Sequence, residues 1–159
     1  MIREAISRDI DGIWDIFEKV IESGDTYVYD PETPKEDLAK HWFAPSMKIF
    51  VAEEEGKIAG TYFIRPNQIA LGSHIGNCGY MVHPDARGKS IGRSLCEHSI
   101  ATGRELGYKG IQFNFVVSTN MAAVYLWQKC GFKIIGTIPG GFKHLTLGYV
   151  DAYIMFREL

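Results

Sequence analysis

The sequence predicts a mixed α/β domain of the α+β kind, with one sheet of six or seven strands and four helices. Three observations carry that reading. Apolar residues recur at helical spacing early in the chain and at alternate positions in several later segments, the signatures of helix and strand. Turn-forming Gly, Pro, Asn and Asp fall mainly between those segments. The 159 residues are 46% hydrophobic, which suits one compact domain over 1–159 with a full core.

Each element has its own signal. IREA, residues 2–5, reads as a short strand, and Ser7 is a good N-cap for a helix reaching about Gly24. Ile10, Ile13, Trp14, Phe17, Val20 and Ile21 follow helical spacing and form its expected buried stripe. GDTYVYDPETP, residues 24–34, breaks the pattern with Gly, Asp and two prolines and reads as a loop. Thr33 and Pro34 suit the cap and first position of a second helix running through Trp42. MKIFVAEEEGKIAGTYFIRP, residues 47–66, reads as two strands joined by a tight turn around Glu55 and Gly56. A strand over roughly Ser73 to Val82 leads into HPDARGKSIG and a long helix to about Leu106. GIQFNFVV, residues 110–117, is a strand, and STNMAAVYLWQKCGF, residues 118–132, carries a short helix that Asn120 caps and Gly131 ends. FKIIGTIP and GYVDAYIMFREL supply two last strands around a loop containing GGFKH.

Charge and composition exclude several functions. Charged residues make up 23% and the net charge is −2, so there is no electrostatic footprint for nucleic acid. No Lys/Arg cluster suits a membrane anchor, and no apolar run approaches the ~20 residues a membrane span needs. The opening MIREAISRDIDGIW carries acids and lacks a signal peptide's apolar stretch. Cys78, Cys96 and Cys130 form neither a paired pattern nor a metal-ligand spacing, so no metal is expected. Their odd number and isolation fit a reducing, cytoplasmic setting.

The sharpest motif is HPDARGKSIGRSL between a strand and a helix. Gly88 and Gly92 relieve crowding, so backbone N–H groups at the helix start can turn toward an anion such as a pyrophosphate. Arg87, Lys89 and Arg93 add cationic side chains beside the positive end of the helix. A nucleotide P-loop would need another glycine five positions before Gly88, where His83 stands, so that reading fails. A plain glycine-containing helix start with surface charges remains the alternative.

Together, YMVHPDARGKSIG and the downstream N-x-x-A-x-x-L-x-x-x-x-G-F pattern, with the order of elements, resemble the GNAT superfamily of acetyl-CoA-dependent N-acetyltransferases over nearly the whole chain. The family's pyrophosphate signature, Gln/Arg-x-x-Gly-x-Gly/Ala, falls on Arg87, Ser90 and Gly92, with Ser90 departing from the usual glycine. The resemblance implies that Met81 and Val82 offer backbone groups to the pantetheine arm. It further implies that Arg87, Gly88, Lys89, Ser90, Ile91, Gly92 and Arg93 hold the pyrophosphate, with acetyl-CoA as cosubstrate. It also implies a splay between the fourth and fifth strands, with the thioester in the gap. The pattern FNFVVSTNMAAVYLWQKCGF is similar to the branch acting on azetidine-2-carboxylate and related proline analogues. There, asparagines matching Asn77 and Asn114 surround the acceptor and one matching Asn120 lies near coenzyme A. The N-terminal half is similar to acetyltransferases of amino-acid analogues. Both imply a small amine partner bearing a carboxylate.

Strand alternation puts Asn77, Gly79 and Met81 on one face, and Gln112, Asn114 and Val116 on one face of the next strand. A buried, unpartnered Asn114 would cost roughly 1–3 kcal/mol, so it either bonds a backbone group at the splay or binds the acceptor with Asn77. Tyr27 and Tyr29 alternate with Val28 and face the same side, as acceptor contacts or as loop packing. The expected reaction is direct attack of a neutral amine on the thioester, with a strand N–H near Met81 polarising the carbonyl. Many relatives are thought to use a tyrosine as proton donor seven residues after the helix asparagine; here that position is Trp127, expected to line the thioester channel. Indole cannot usefully release its proton near neutral pH, so water or the amine's own proton is expected to protonate the thiolate. No carboxylate is placed as a base, because Asn77 stands where other members often carry glutamate. Asp25, Asp30 and Glu32 keep a polyamine acceptor open, alongside an aminoglycoside or a protein N-terminus. The missing acid and base also leave open a non-catalytic acyl-CoA-binding module. A homodimer is open too.

Overall fold

The computed structural model describes all of residues 1–159. Seven strands form one sheet: β1 (Ile2–Glu4), β2 (Lys48–Glu54), β3 (Lys57–Pro66), β4 (Ile75–Val82), β5 (Gly110–Val117), β6 (Lys133–His144) and β7 (Gly148–Glu158). Their order across the sheet is β1-β2-β3-β4-β5-β7-β6. Four helices cover it: α1 (Ile10–Glu22), α2 (Leu38–Trp42), α3 (Ile91–Glu105) and α4 (Met121–Lys129). Single 3₁₀ turns precede α1 and α2, so Pro34 precedes a tight turn over Lys35–Asp37 and the α-helix itself is short.

Two cores lie on opposite faces of the sheet. Ile13, Ile16, Phe17, Val20 and Ile21 of α1, with Leu38 and Trp42 of α2, pack against Ile49, Val51, Phe63 and Met81. The α1 stripe thus runs through Ile16, while Ile10 is exposed and Trp14 half-buried. Ile13, Ile16, Phe17, Val20 and Ile21 keep the i, i+3, i+4, i+7, i+8 spacing of one face; Ile10 continues that face but is left exposed as the first residue of the helix, and Trp14 lies at its margin. On the other face, Leu95, Cys96 and Ile100 of α3 and Trp127 of α4 meet Tyr62, Ile64, Cys78, Phe113 and Met155.

The β2–β3 turn is tight, with Glu55 and Gly56 both at positive φ, the twist a two-residue hairpin prefers. At the far edge the structure corrects the expected end of β6. GGFKH belongs to the strand, because β6 pairs with β7 as far as His144↔Gly148, with one irregularity at Ile135 and a second that absorbs Pro139 and the two glycines after it.

The parallel β4–β5 pairing is the feature that positions everything else. It covers only Ile75–Asn77 against Gly110–Gln112, and beyond it the two strands part. β5 then bulges between Phe113 and Val116 against β7. The expected alternation therefore fails there: Phe113 and Val116 both enter the α3-side core, and Phe115 packs on Phe142 instead.

Candidate active site

Where β4 and β5 part, a strand edge with no neighbour is created inside the molecule. Backbone groups of alternate residues point to opposite sides. His83 N–H bonds Ala59 O on β3, whereas the N–H and C=O of Tyr80 both face the gap. Tyr80 and Val82 therefore present their main chain to the gap, and Met81, paired with Thr61 of β3, does not. The expected backbone role of Met81 is corrected accordingly: its side chain is buried against α1 and its peptide groups belong to the β3 ladder. Tyr27 reaches in from the loop, accepting from Tyr80 N–H at 2.9 Å and donating to Tyr80 C=O at 2.7 Å. Burial pushes its phenol above the ordinary range, so it stays neutral and able to donate.

The gap opens at one end onto the loop before α3. Gly88 sits at φ +81 with nothing near the position of an added Cβ, so its glycine serves the backbone turn alone. Ser90, the residue just before α3, also sits left-handed at φ 61, where the family signature has glycine. That conformation costs a side-chain-bearing residue roughly 1–2 kcal/mol. Gly92 has a different job: a Cβ there would come within 3.1 Å of Leu126, so it lets α3 and α4 pack closely. Of the three cations, Lys89 pairs with Glu54 at 2.9 Å and Arg93 with Glu97 at 2.8 Å, both on the surface. Arg87 makes no ion pair. Exposed pairs of this kind are worth only ~0–1 kcal/mol, so Lys89 and Arg93 are held by their partners only weakly. Ile91 packs at the start of α3 beside the core.

On the α1 side, a cavity of about 250 Å³ joins the gap. It is lined by Tyr27, Tyr29, Phe63, Arg65, Asn77, Gly79, Tyr80, Phe113, Asn114, Phe115, Asn120 and Trp127, among others. The structure thus brings Tyr27, Tyr29, Asn77, Asn114, Asn120 and Trp127 together. Tyr27 and Tyr29 stack at 5.8 Å while Val28 turns outward, as their alternation predicts. Gly79 has no room for a side chain, since a Cβ would lie 2.5 Å from Phe63, and the Phe63 ring lies across β4 there.

The two asparagines divide the work unexpectedly. Asn77 is buried and donates to Gln112 O at 3.0 Å, closing the last rung where the strands part. Asn114 is exposed at the cavity mouth, donating to Asn67 Oδ1 at 2.7 Å and accepting from Gln112 Nε2 at 3.0 Å. The backbone bond at the splay therefore belongs to Asn77, and the bulge in β5 turns Asn114 out of the core.

Arg65 was missed in the sequence. It faces Asn77 across the β3–β4 pair, lies 5.3 Å over the Phe63 ring and makes no salt bridge. An arginine at a strand end reads as solvated surface, so no sequence signal marked it. No Asp or Glu lines the cavity. Asp25 is bonded by Ser23 and Asp30 accepts from Glu32 N–H, and none of Asp25, Asp30 and Glu32 lines the cavity. A wider groove of about 830 Å³ between α1, the β2–β3 turn and loop 83–89 mixes both charge signs, many of them already paired.

α4 closes the gap from the other face. Asn120 Oδ1 accepts from Ala123 N–H, and Phe132 N–H bonds Trp127 O past Gly131. Asn120 thus caps the helix and Gly131 ends it. Trp127 is buried against Tyr80 at 4.7 Å and Phe113 at 5.2 Å. Tyr125 is exposed and covered only by Lys129, so it is no substitute acid. Burial pushes the Cys78 thiol up to about 12, which leaves it protonated and unsuited to act as a nucleophile. No helix is long and apolar enough to cross a membrane.

A sheet parted between parallel β4 and β5, with a left-handed loop leading into α3, defines an acyltransferase of the GNAT kind. The model of the acetyltransferase (GNAT) family matches residues 13–132, and the chain belongs to that family. It is 30% identical over 151 residues to N-acetyltransferase aca1 of Schizosaccharomyces pombe, covering 84% of this chain and 72% of that protein. Escherichia coli L-amino acid N-acyltransferase MnaT is 27% identical over 117 residues, 70% of this chain and 67% of that one. A GCN5-related N-acetyltransferase from Kribbella flavida superposes with a TM-score of 0.95 at 39% identity, covering 100% of this chain and 97% of that one. The fold is also that of yncA, a putative acetyltransferase from Salmonella typhimurium solved with its cofactor acetyl-CoA, at a TM-score of 0.87, 22% identity and coverage of 100% and 93%.

Proposed function

We propose that residues 1–159 act as a single cytoplasmic domain that moves the acetyl group of acetyl-CoA to the amine of a small, carboxylate-bearing acceptor. One observation carries the acceptor class: the cavity beside the gap holds an unpaired arginine, Arg65, and no acid. A polyamine or an aminoglycoside calls for carboxylates there, and the acids of the loop do not line the cavity. An amino-acid-like amine fits the sign of the charge, and MnaT, whose name states an L-amino acid acceptor, is a relative. A cytoplasmic setting is supported by three free cysteines, all buried.

The roles follow from position. The loop Arg87–Arg93 holds the pyrophosphate on its backbone N–H groups and the start of α3, with Arg87 as the free cation. Val82 holds the pantetheine arm, and Asn120 and Trp127 form the opposite wall. Tyr80 N–H, in place of Met81, polarises the thioester carbonyl as charge develops on it. Arg65 binds the acceptor carboxylate, with Asn114 at the cavity mouth and Tyr27 and Tyr29 over the acceptor. The neutral amine attacks the carbonyl carbon, the C–S bond breaks, and the thiolate takes its proton from water or from the attacking amine. Asn77 fixes the point of splay and offers its amide to the acceptor.

The test is thiol release from acetyl-CoA against a panel of amines: azetidine-2-carboxylate, methionine sulfoximine, phosphinothricin and spermidine. Turnover is expected on at least one carboxylate-bearing amine and not on spermidine. Tight coenzyme binding with no turnover on any amine would favour a binding module and overturn the enzyme reading.

A further inference from the structure

Tyr27 holds the one position in the gap that a thioester needs. Beyond the last β4–β5 rung, the gap-facing peptide groups of β4 are those of Tyr80 and Val82. Val82 lies one step nearer the phosphate loop, about 6.6 Å along the strand. A pantetheine arm entering from that loop is longer than this step, so its thioester end passes Val82 and arrives at Tyr80. There the Tyr27 hydroxyl already uses both groups, accepting from N–H at 2.9 Å and donating to C=O at 2.7 Å. One N–H cannot serve the phenol and a thioester carbonyl with full strength at once.

We propose that Tyr27 and the acyl carbonyl of the donor take turns on the Tyr80 N–H, so that the acceptor loop 24–34 opens when an acylated coenzyme is seated and closes once the acyl group has left. The proposal rests on the acetyl-CoA reading above. Free coenzyme A has no carbonyl at its thiol end and leaves Tyr27 in place. Displacing Tyr27 disturbs its stack with Tyr29 at 5.8 Å and its edge contact with Trp42 at 6.1 Å. Tyr29 in turn leans on His41 at 4.5 Å. The acceptor pocket is therefore shaped by whether the donor carries its cargo, which favours acceptor binding after acetyl-CoA and loosens it after transfer.

The experiment compares acetyl-CoA with free coenzyme A by calorimetry on wild type and Tyr27→Phe. The variant frees the Tyr80 N–H, so its dissociation constant for acetyl-CoA is expected to fall about three- to tenfold, the worth of roughly one lost competing hydrogen bond. Its constant for free coenzyme A is expected to stay within about twofold. A wild-type readout does not depend on the variant folding: in ¹⁵N-tyrosine-labelled protein, the Tyr80 amide and Tyr27 signals should move with acetyl-CoA and hold still with free coenzyme A. An unchanged or weakened affinity for acetyl-CoA in Tyr27→Phe, or equal Tyr27 responses to both coenzymes, overturns the proposal. Failure of wild type to bind either coenzyme overturns the donor reading itself, which is a separate outcome.

Discussion

Replacing Arg65 with methionine removes the cation while keeping most of the unbranched stem that lies over Phe63. A carboxylate ~4 Å from a guanidinium in a half-buried site gains at most ~4 kcal/mol of Coulomb energy at an effective dielectric of ~20. Desolvation of both groups takes back part of this, and hydrogen bonds to charged groups net ~1.5–3 kcal/mol. Arg65→Met should therefore lower kcat/KM for a carboxylate-bearing amine by ~10–100-fold, mostly through KM, since ground state and transition state share the contact. Arg65→Lys keeps the charge but loses the planar fork, and should fall between the two. The discriminating assay runs each variant on a matched pair, azetidine-2-carboxylate and azetidine. The decarboxylated amine should change by less than about threefold, because it never made the contact. Equal losses on both amines would refute the reasoning, since they would mean that Arg65 supports the pocket wall and not the carboxylate.

Three further outcomes follow from other parts of the molecule. Trp127→Phe should turn over within about threefold of wild type, because the indole packs on Tyr80 and Phe113 and is not asked for a proton; a more than hundredfold loss of the chemical step in single-turnover kinetics, with binding intact, would contradict this. Ser90→Gly should stabilise the protein by ~1 kcal/mol in urea unfolding by relieving a left-handed serine. Arg3 holds the Asp9 carboxyl below its usual range through a bidentate pair, so that stabilisation is full above about pH 4 and is lost as pH falls through the depressed value. Asp9→Asn should accordingly lower Tm by ~2–6 °C at pH 7 and approach wild type as pH falls through the depressed value in thermal scans.

Legibility of the sequence followed how local the cause was. The caps at Asn120 and Gly131, the Glu55–Gly56 turn and the face shared by Tyr27 and Tyr29 depend on a few neighbouring residues, and each stands where periodicity and turn chemistry put it. Properties that depend on pairing were not legible. Alternation identifies which side chains of β4 share a face, but the direction of the peptide groups is tied to the β3 register, which moves the gap-facing role from Met81 to Tyr80. The bulge in β5 is likewise a property of its pairing with β7, and it turns Asn114 outward. Arg65 becomes a pocket residue only because β3 lies beside β4 at that register and Phe63 holds it over the cavity. The extension of β6 through GGFKH is a gift of its partner strand and not of its own composition.

The contact between Gly79 and Phe63 has a consequence for how such a catalyst can diversify. A single methyl group added at position 79 lands 2.5 Å from the ring and 2.9 Å from its tip, so the ring has to swing away from β4. Arg65, which rides on that ring, would move with it. Cavity depth and the location of its positive charge are thus geared to one backbone position in the cavity wall that carries no side chain of its own. A lineage could retune which amines it accepts by a small change there, leaving the coenzyme half of the molecule untouched.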